Sequence, residues 1–273
     1  MTRSCGITTG VLSFGPSPSE RVTTFQLVAQ RDAAAVADWV SKAVLDDRLQ
    51  SQVGGSRPLG LATGRTMEPI YARLVERVAG QPPVDQARLR RGWLSFNLDE
   101  YVGLAAADPR SFMAEMARHL VGPLGLEVGA VRLPDGTAPD PQAEAQRYAA
   151  AVAAAGGIGL QLLGLGLNGH VGFNEPPCSP ESRCRCLHLS AATRLQNAAA
   201  FGGDATAVPT RAITLGLVEI LAARRLVLVV TGAAKAAVLR RLLQEPASAQ
   251  LPASWLRRHP DCTLVVDQAA LDG

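Results

Sequence analysis

The sequence predicts an α/β fold: one domain in which helices cover both faces of a mostly parallel central sheet. Two observations support this prediction. Apolar segments of strand length alternate along the chain with segments of helical length, a pattern typical of a parallel sheet wrapped by helices. In addition, 47% of the 273 residues are hydrophobic but only 4% are aromatic, so Leu, Val, Ile and Ala must build the core, which suits such a sheet.

The folded domain is expected to span residues 25–273. Residues 1–24 are rich in Gly, Ser, Thr and Pro, and this composition predicts a poorly ordered N-terminal leader. The rest of the chain shows no internal repeat and no low-complexity tract. We therefore assign a single domain to it.

The first half of the domain is predicted to alternate strands and helices, separated by turn-forming residues such as Gly54, Gly55 and Pro58. The predicted strands are Phe25–Ala29, Leu59–Ala62 and Leu94–Leu98. The predicted helices are Asp32–Leu49, Met67–Ala79 and Arg110–Val121.

The second half continues the alternation after Pro139-Asp140-Pro141, which opens a helix. The predicted helices are Gln142–Ala155, Ala191–Phe201 and Ala233–Leu243. The predicted strands are Ile158–Gly164, Leu226–Thr231 and Thr263–Asp267. A long loop is expected after the first of these strands, and Ala212–Leu217 fits either a strand or a helix.

The charge balance gives no sign of a nucleic-acid partner. The chain has 27 basic and 24 acidic residues, a net charge of +3, and its one notable basic block is residues 88–91. The longest apolar stretches, Ile158–Leu167 and Leu226–Val230, are far shorter than the roughly 20 residues that span a bilayer. The first residues hold no continuous apolar signal core. We expect a cytoplasmic protein that has no membrane partner.

Three of the five cysteines cluster at Cys178, Cys184 and Cys186, close to His188. Such soft ligands can bind zinc. Their spacing matches no common zinc module, however, and five cysteines in a chain of this length suit reduced thiols better than a disulfide framework. We therefore predict small, partly buried loop residues here, and neither a metal nor a cofactor.

Two predicted strands end in residues suited to proton transfer. The strand ending at Gly164 runs into a glycine-rich segment that carries His170 and Glu175, and the strand ending at Leu98 runs into Asp99 and an adjacent acid. Open α/β sheets bind ligands at the carboxyl ends of their strands. Two acids and a histidine at such ends indicate acid–base chemistry on a small molecule.

The adjacent acids Asp99 and Glu100 point to opposite sides of an extended chain, so one is expected to be catalytic and the other structural. A carboxylate in a semi-enclosed pocket can have its pKa raised towards working pH, as a base that abstracts a carbon-bound proton requires. His170 can move a proton on or off a ring oxygen, and Glu175 can orient it. Taken singly, each of these residues is more often a loop hydrogen-bonder or a cap.

A phosphate site is predicted at two other strand ends. The turn Thr63-Gly64-Arg65-Thr66 joins a strand to a helix, which leaves backbone N–H groups and a helix N-terminus facing a ligand. Lys235 follows another strand and lies on the first turn of a predicted helix, where a lysine opposes the helix dipole unless an anion is near. A solvated surface lysine is the alternative for Lys235.

Five segments resemble the glucosamine-6-phosphate deaminase family in order and spacing, and the resemblance covers about residues 25 to 268. These segments are Thr63 to Thr66, Phe96 to Leu104, Gly166 to Pro176, Ser182 to Arg185 and Gly232 to Lys235. The related 6-phosphogluconolactonases share the fold and the phosphate turn. At the two strand ends they resemble Asp-Glu-Arg and Asp-Gly-His-x-Ala-Ser-Leu-Phe, whereas this chain has Asp-Glu-Tyr and Asn-Gly-His-x-Gly-Phe-Asn-Glu.

The resemblance implies a modified Rossmann-like fold and a metal-free isomerisation of glucosamine 6-phosphate that also removes its 2-amino group, giving fructose 6-phosphate and ammonia. By the same resemblance, Asp99 moves a proton between C2 and C1, His170 assists ring opening, and Glu175 supports His170. Lys235 and the turn Thr63 to Thr66 hold the phosphate.

The chain departs from the family pattern at three positions. Asn168, counted here with the catalytic residues, stands where some members have aspartate. The family's phosphate-binding arginine falls at Ala199, and Arg65 is a candidate to replace its charge. The allosteric site of hexameric relatives has a basic residue at the position of Leu187, which argues against activation by N-acetylglucosamine 6-phosphate although Arg185 is retained.

Two alternatives to the deaminase interpretation stay open. The first is a lactone hydrolase, which needs a base for water but no abstraction of a C2 proton. The second is a non-catalytic sugar-phosphate sensor, favoured by the missing arginine but not by the retained proton-transfer residues. In each case the expected partner is a small sugar phosphate, and the protein is a monomer or a homo-oligomer.

Overall fold

The structure, a computed structural model, describes residues 25–50 and 57–273. The predicted leader, residues 1–24, and the predicted chain break at Gly54 and Gly55 lie outside the described residues.

The described part of the chain alternates ten strands with ten helices. The strands are β1 (Gln26–Gln30), β2 (Leu59–Leu61), β3 (Ser95–Asn97), β4 (Asp99–Tyr101), β5 (Val131–Arg132), β6 (Leu160–Gly164), β7 (Arg185–His188), β8 (Arg211–Thr214), β9 (Arg225–Val230) and β10 (Cys262–Asp267). The helices are α1 (Ala33–Gln50), α2 (Glu68–Ala79), α3 (Pro83–Arg91), α4 (Phe112–Met116), α5 (Gly122–Leu124), α6 (Pro141–Ala154), α7 (Ala191–Asn197), α8 (Leu217–Leu221), α9 (Ala236–Gln244) and α10 (Gln268–Asp272).

The central sheet confirms the predicted fold class. It contains seven parallel strands in the order β1-β10-β9-β6-β2-β3-β5, and helices flank it. Leu226–Val230 of β9 and Cys262–Asp267 of β10 are buried throughout, as expected for strands that are covered on both faces. On one side, α1 packs against α2 and β10.

The four strands β9, β6, β2 and β3 are neighbours in the sheet, in that order. Because they are parallel, their carboxyl ends at Val230, Gly164, Leu61 and Asn97 meet at one edge. The segments that follow these four ends carry the predicted catalytic and phosphate-binding residues. The topology therefore places these residues near one another although they are far apart in the sequence.

A second, smaller sheet was not predicted. It pairs β4, β8 and β7 antiparallel, with Asp99 opposite Thr214. Ala212–Leu217, which fits either a strand or a helix, contributes the strand β8, and the long loop expected after Gly164 contains β7. The prediction of an uninterrupted loop was wrong because β7, Arg185–His188, is short and only partly buried and so lacks the apolar run that indicates a strand.

The elements that escaped the sequence analysis include α3 and β5. Helix α3 has one buried residue, Leu89, and β5 has only two residues, so neither carries a clear periodicity. The helix predicted over Arg110–Val121 starts later, because the Ser111 side chain caps it by accepting the Ala114 N–H. It changes after Met116 into a π-helical turn.

Candidate active site

An open cavity of about 450 Å³ lies at the carboxyl edge of the central sheet. Its walls come from the turn after β2, from the β3–β4 junction, from the segment after β6 and from the turn after β9, with α4 and the region of α7 on the outer side. Seven of the nine predicted site residues line it: Thr63, Gly64, Arg65, Thr66, Asp99, His170 and Lys235. The remaining two, Asn168 and Glu175, stand outside this lining.

The turn after β2 depends on a glycine. Gly64 has a φ of 101°, a conformation that side chains other than hydrogen strongly disfavour. Its carbonyl accepts the Met67 N–H at 2.8 Å just before α2 begins at Glu68. This geometry directs the N-terminal end of a 12-residue helix at the cavity, as expected of a site for an anion.

Two cations, Arg65 and Lys235, line the cavity near this turn. Burial lowers the pKa of Lys235, and the nearby positive charge of Arg65 lowers it further. Neither side chain makes an ion pair or hydrogen bond to another residue in the described ranges. Lys235 lies in a 3-10 turn directly before α9 rather than in the first α-helical turn that was predicted. Two close, unpaired cations favour binding of a dianion.

Ala199, where the resemblance predicts that the family arginine is missing, also lines the cavity. A third basic residue of the lining, Arg110, already binds both oxygens of Asp108 at 2.9 and 2.7 Å and lies over the ring of Phe201. Arg110 is therefore less available to a ligand than Arg65 is.

Asp99 is a buried carboxylic acid at the start of β4, with 6% of its surface exposed. Burial raises its pKa to about 8, the charges of Glu100 and Glu115 contribute in the same direction, and a hydrogen bond with Thr214 opposes them. A carboxyl group with such a pKa can both accept and return a proton near neutral pH.

Glu100 points away from the cavity. Its carboxylate accepts hydrogen bonds from the backbone N–H groups of Tyr101 at 2.8 Å, Phe112 at 3.0 Å and Met113 at 2.9 Å. Burial nevertheless raises its pKa. The two adjacent acids thus divide as the extended chain predicts: Asp99 faces the cavity, and Glu100 anchors the start of α4.

His170 packs closely against Gly166. A Cβ atom at Gly166 would lie 2.3 Å from the imidazole ring, so glycine makes room for the histidine. Burial lowers the pKa of His170 to about 4, the charge of Glu175 raises it, and Lys235 lowers it. The ring is therefore neutral at pH 7 and can act as a base.

Asn168 is the direct partner of His170. Its Oδ1 lies 2.6 Å from His170 Nδ1, and an amide oxygen accepts a hydrogen bond but cannot donate one. Nδ1 therefore carries the proton, which leaves Nε2 free to accept another. Asn168, and not Glu175 as predicted, therefore makes the contact that orients the His170 ring.

Glu175 binds the start of α7 instead. Its carboxylate accepts hydrogen bonds from the Ser190 N–H at 3.0 Å, the Ser190 hydroxyl at 2.6 Å and the Thr193 hydroxyl. Although burial raises its pKa, these hydrogen bonds keep the pKa below the ordinary value. Glu175 acts on His170 through its charge and also holds α7, whose last residue lines the cavity.

The sequence analysis missed Glu115, Tyr101 and Asn197 in the lining. The Asn197 side chain donates a hydrogen bond of 2.9 Å to the Tyr101 hydroxyl, which connects α7 to β4. Glu115 accepts the Gly64 N–H at 2.6 Å. The signal for Glu115 was an isolated acid among Phe112, Met113 and Met116, a pattern that also fits an exposed helix position.

The cysteine cluster lies apart from the cavity. Cys178 and Cys184 are buried, and Cys186 is partly buried in β7. Cys178 Sγ lies 3.2 Å from the Ser182 hydroxyl. Across residues 25–50 and 57–273, no three His, Cys, Asp or Glu side chains are grouped so that they could bind a metal. None of the helices described there is long and apolar enough to cross a membrane.

Comparisons with known proteins identify the family of this chain. Residues 28–265 match the family model described as glucosamine-6-phosphate isomerases/6-phosphogluconolactonase. A glucosamine-6-phosphate deaminase from Streptomyces avermitilis is 43% identical over 249 residues, which cover 90% of this chain and 91% of the relative. One from Rhodopirellula baltica is 46% identical over 213 residues, covering 78% of this chain and 82% of the relative.

Solved structures give the same result. A monomeric glucosamine-6-phosphate deaminase superposes with a TM-score of 0.82 at 32% identity, covering 89% of this chain and 98% of its own. A 6-phosphogluconolactonase from Trypanosoma cruzi shares the fold, with a TM-score of 0.73 at 17% identity over 94% of this chain and 99% of its own. The chain therefore belongs to the glucosamine-6-phosphate isomerase and 6-phosphogluconolactonase family.

Proposed function

We propose that this protein converts glucosamine 6-phosphate and water into fructose 6-phosphate and ammonia. One observation carries the proposal: a buried carboxylic acid, Asp99, and a neutral imidazole, His170, line one cavity together with a phosphate-binding turn and Lys235. The identity to curated deaminases, 43% over most of the chain, supports the same reaction.

The substrate is held first by its phosphate group. The turn at Gly64 and the N-terminal end of α2 supply backbone donors, and Arg65 and Lys235 supply positive charge. Anchoring the phosphate at the β2 side of the cavity directs the sugar towards the ends of β3 and β6, where Asp99 and His170 lie. This positioning makes the subsequent proton transfers effectively intramolecular.

Ring opening is the first chemical step, because the C2 proton becomes acidic only beside a carbonyl or iminium carbon. The unprotonated Nε2 of His170 can take the proton of the anomeric hydroxyl and deliver it to the ring oxygen. Asn168 fixes the required tautomer by accepting from Nδ1. The result is the open-chain aldehyde.

Isomerisation and deamination follow. The Asp99 carboxylate removes the C2 proton and a proton moves from the 2-ammonium group to O1, which gives an enolamine. Asp99 then returns its proton to C1, which leaves an iminium group at C2. Water adds to C2, and the C–N bond breaks to release ammonia and the 2-keto sugar phosphate. The raised pKa of Asp99 suits a group that must accept a proton and give it back.

The test is a product assay on the full chain with glucosamine 6-phosphate. We expect ammonia and fructose 6-phosphate in equal amounts and no product from 6-phosphogluconolactone above the spontaneous rate. An Asp99→Asn variant serves as the matched control for contaminating activity. Release of phosphogluconate from 6-phosphogluconolactone, with no ammonia from glucosamine 6-phosphate, would support the lactone hydrolase instead.

A further inference from the structure

The phosphate-binding turn already contacts a carboxylate. Glu115 Oε1 accepts the Gly64 N–H at 2.6 Å, across 51 residues of sequence. Both residues line the cavity. Glu115 belongs to α4, just before the π-helical turn that ends this segment. The side chain thus occupies one of the backbone donors that an anion at this turn would use.

An ionised Glu115 weakens the attraction of the cavity wall for a dianion. The lining holds three basic side chains, Arg65, Arg110 and Lys235, and three acidic ones, Glu68, Asp99 and Glu115. Arg110 is already paired with Asp108. Of the three acids, Glu115 is the one that touches the turn itself.

The surroundings of Glu115 do not stabilise its charged form. Burial raises its pKa and the charge of Glu68 adds to this effect, whereas the Gly64 N–H, His119 and Arg118 lower it. On balance the pKa is raised, so the surroundings disfavour the charged form. A phosphate that accepts the Gly64 N–H would replace Glu115 as the acceptor. Glu115 would then lose a hydrogen bond that lowers its pKa.

We propose that Glu115 sets the affinity for phosphorylated ligands by competing with their phosphate group for the Gly64 N–H. Binding then includes displacement of the Glu115 carboxylate from the turn. The inference rests on the proposed function, since it takes the turn to be the phosphate site. It predicts that this chain binds phosphate groups more weakly than its turn and two cations would otherwise allow.

The experiment is a calorimetric titration with inorganic phosphate, which requires no turnover. Glu115→Gln keeps the size of the side chain and removes its charge, and we expect the Kd for phosphate to fall roughly tenfold. Glu68→Gln is the matched control, because it removes an acid from the same cavity wall without a hydrogen bond to the turn. We expect its Kd to change by less than about threefold.

Three results would overturn the proposal. The first is an unchanged or higher Kd in Glu115→Gln, which would make Glu115 a support of the turn rather than a competitor. The second is an equal gain in Glu68→Gln, which would reduce the effect to charge acting through space. The third is a complete lack of phosphate binding by the wild type and both variants.

A measurement on the wild type avoids any folding defect of the variants. In an NMR titration with inorganic phosphate, we expect the Gly64 amide and the Glu115 carboxyl carbon to shift together, with the same apparent Kd. A Gly64 shift without a Glu115 shift would contradict displacement. Absence of ammonia release from glucosamine 6-phosphate would refute the proposed function but leave these phosphate titrations able to decide the role of Glu115.

Discussion

The two ends of the cavity are built differently. At the proton-transfer end, hydrogen bonds connect Asp99 to Thr214 and His170 to Asn168. At the phosphate end, Arg65 and Lys235 have no ion-pair partner within the described residues. Proton transfer needs each reacting group within a few tenths of an ångström of its place, whereas an anion is attracted by any positive charge of suitable reach.

This difference indicates which end of the cavity tolerates substitution of its residues within the family. The resemblance to the family implies that the proton-transfer end keeps Asp99, His170 and Glu175, and that the phosphate end has Ala199 where an arginine is expected. Arg65 lies near Lys235 and alters its pKa, so a positive charge from another segment is available there. The comparison predicts large, step-specific losses at the first end and moderate losses of affinity at the second.

The largest effect is expected for Asp99→Asn. The amide keeps the shape of the side chain but cannot accept the C2 proton, so kcat should fall by at least about 100-fold. Substrate affinity should stay within a few-fold of wild type, because the phosphate site is intact. Steady-state kinetics and a titration of the variant with glucosamine 6-phosphate measure both. Activity within a few-fold of wild type would remove Asp99 from the mechanism.

His170→Gln should slow the reaction less, and selectively. We expect a loss of roughly 10- to 100-fold in kcat with glucosamine 6-phosphate, since one general acid–base step loses its catalyst. An analogue without the C4 and C5 hydroxyls can close neither a five- nor a six-membered ring and should be affected only a few-fold. Comparing the two substrates tests the assignment to ring opening. Equal losses on both would reassign His170 to the isomerisation.

Six of the seven parallel strands of the central sheet, all except β5, were predictable because each lies in a mostly apolar run that ends in a glycine or polar turn. β9, from Arg225 to Val230, is an example. The same logic placed Asp99 and His170 at strand ends that meet. The second sheet was not predictable, since β7, Arg185–His188, has only two apolar residues between polar ends and is defined by its pairing with β8.

The partners of the site residues were harder to predict than the residues themselves. The Asn168 contact with His170 is local, two residues apart, but a sequence does not show which of several polar neighbours reaches the ring. Glu115 reaches Gly64 across 51 residues, and this contact depends on where α4 packs. Long-range side-chain contacts of this kind follow from tertiary packing rather than from local pattern.

A moderate effect is expected at the phosphate end for Arg65→Ala. If the Arg65 charge replaces that of the arginine expected at position 199, KM for glucosamine 6-phosphate should rise roughly tenfold, whereas kcat should stay nearly unchanged. A rise of this size corresponds to the loss of one charge-assisted contact. Adding Ala199→Arg should restore part of the affinity. Arg91→Ala, an exposed arginine at the end of α3, is the matched control. An unchanged KM in Arg65→Ala would leave Lys235 and the turn as the phosphate site.

The smallest effect concerns the coupling between the two ends. Burial and, to a smaller extent, the charges of Glu100 and Glu115 together raise the pKa of Asp99 to about 8. Only the Asp99 carboxylate accepts the C2 proton, so kcat/KM should increase with pH as Asp99 loses its proton and level off above that pKa.

Glu115→Gln removes one of the charges that raise the pKa of Asp99. We therefore expect the acid limb of its profile to move to lower pH by about half a unit. Glu127→Gln, a change at an exposed residue, should leave the acid limb in place. Ionisation of the substrate affects all variants equally, because all are compared on the same substrate. A limb that does not move in Glu115→Gln would show that the phosphate end exerts no electrostatic control over the proton-transfer end.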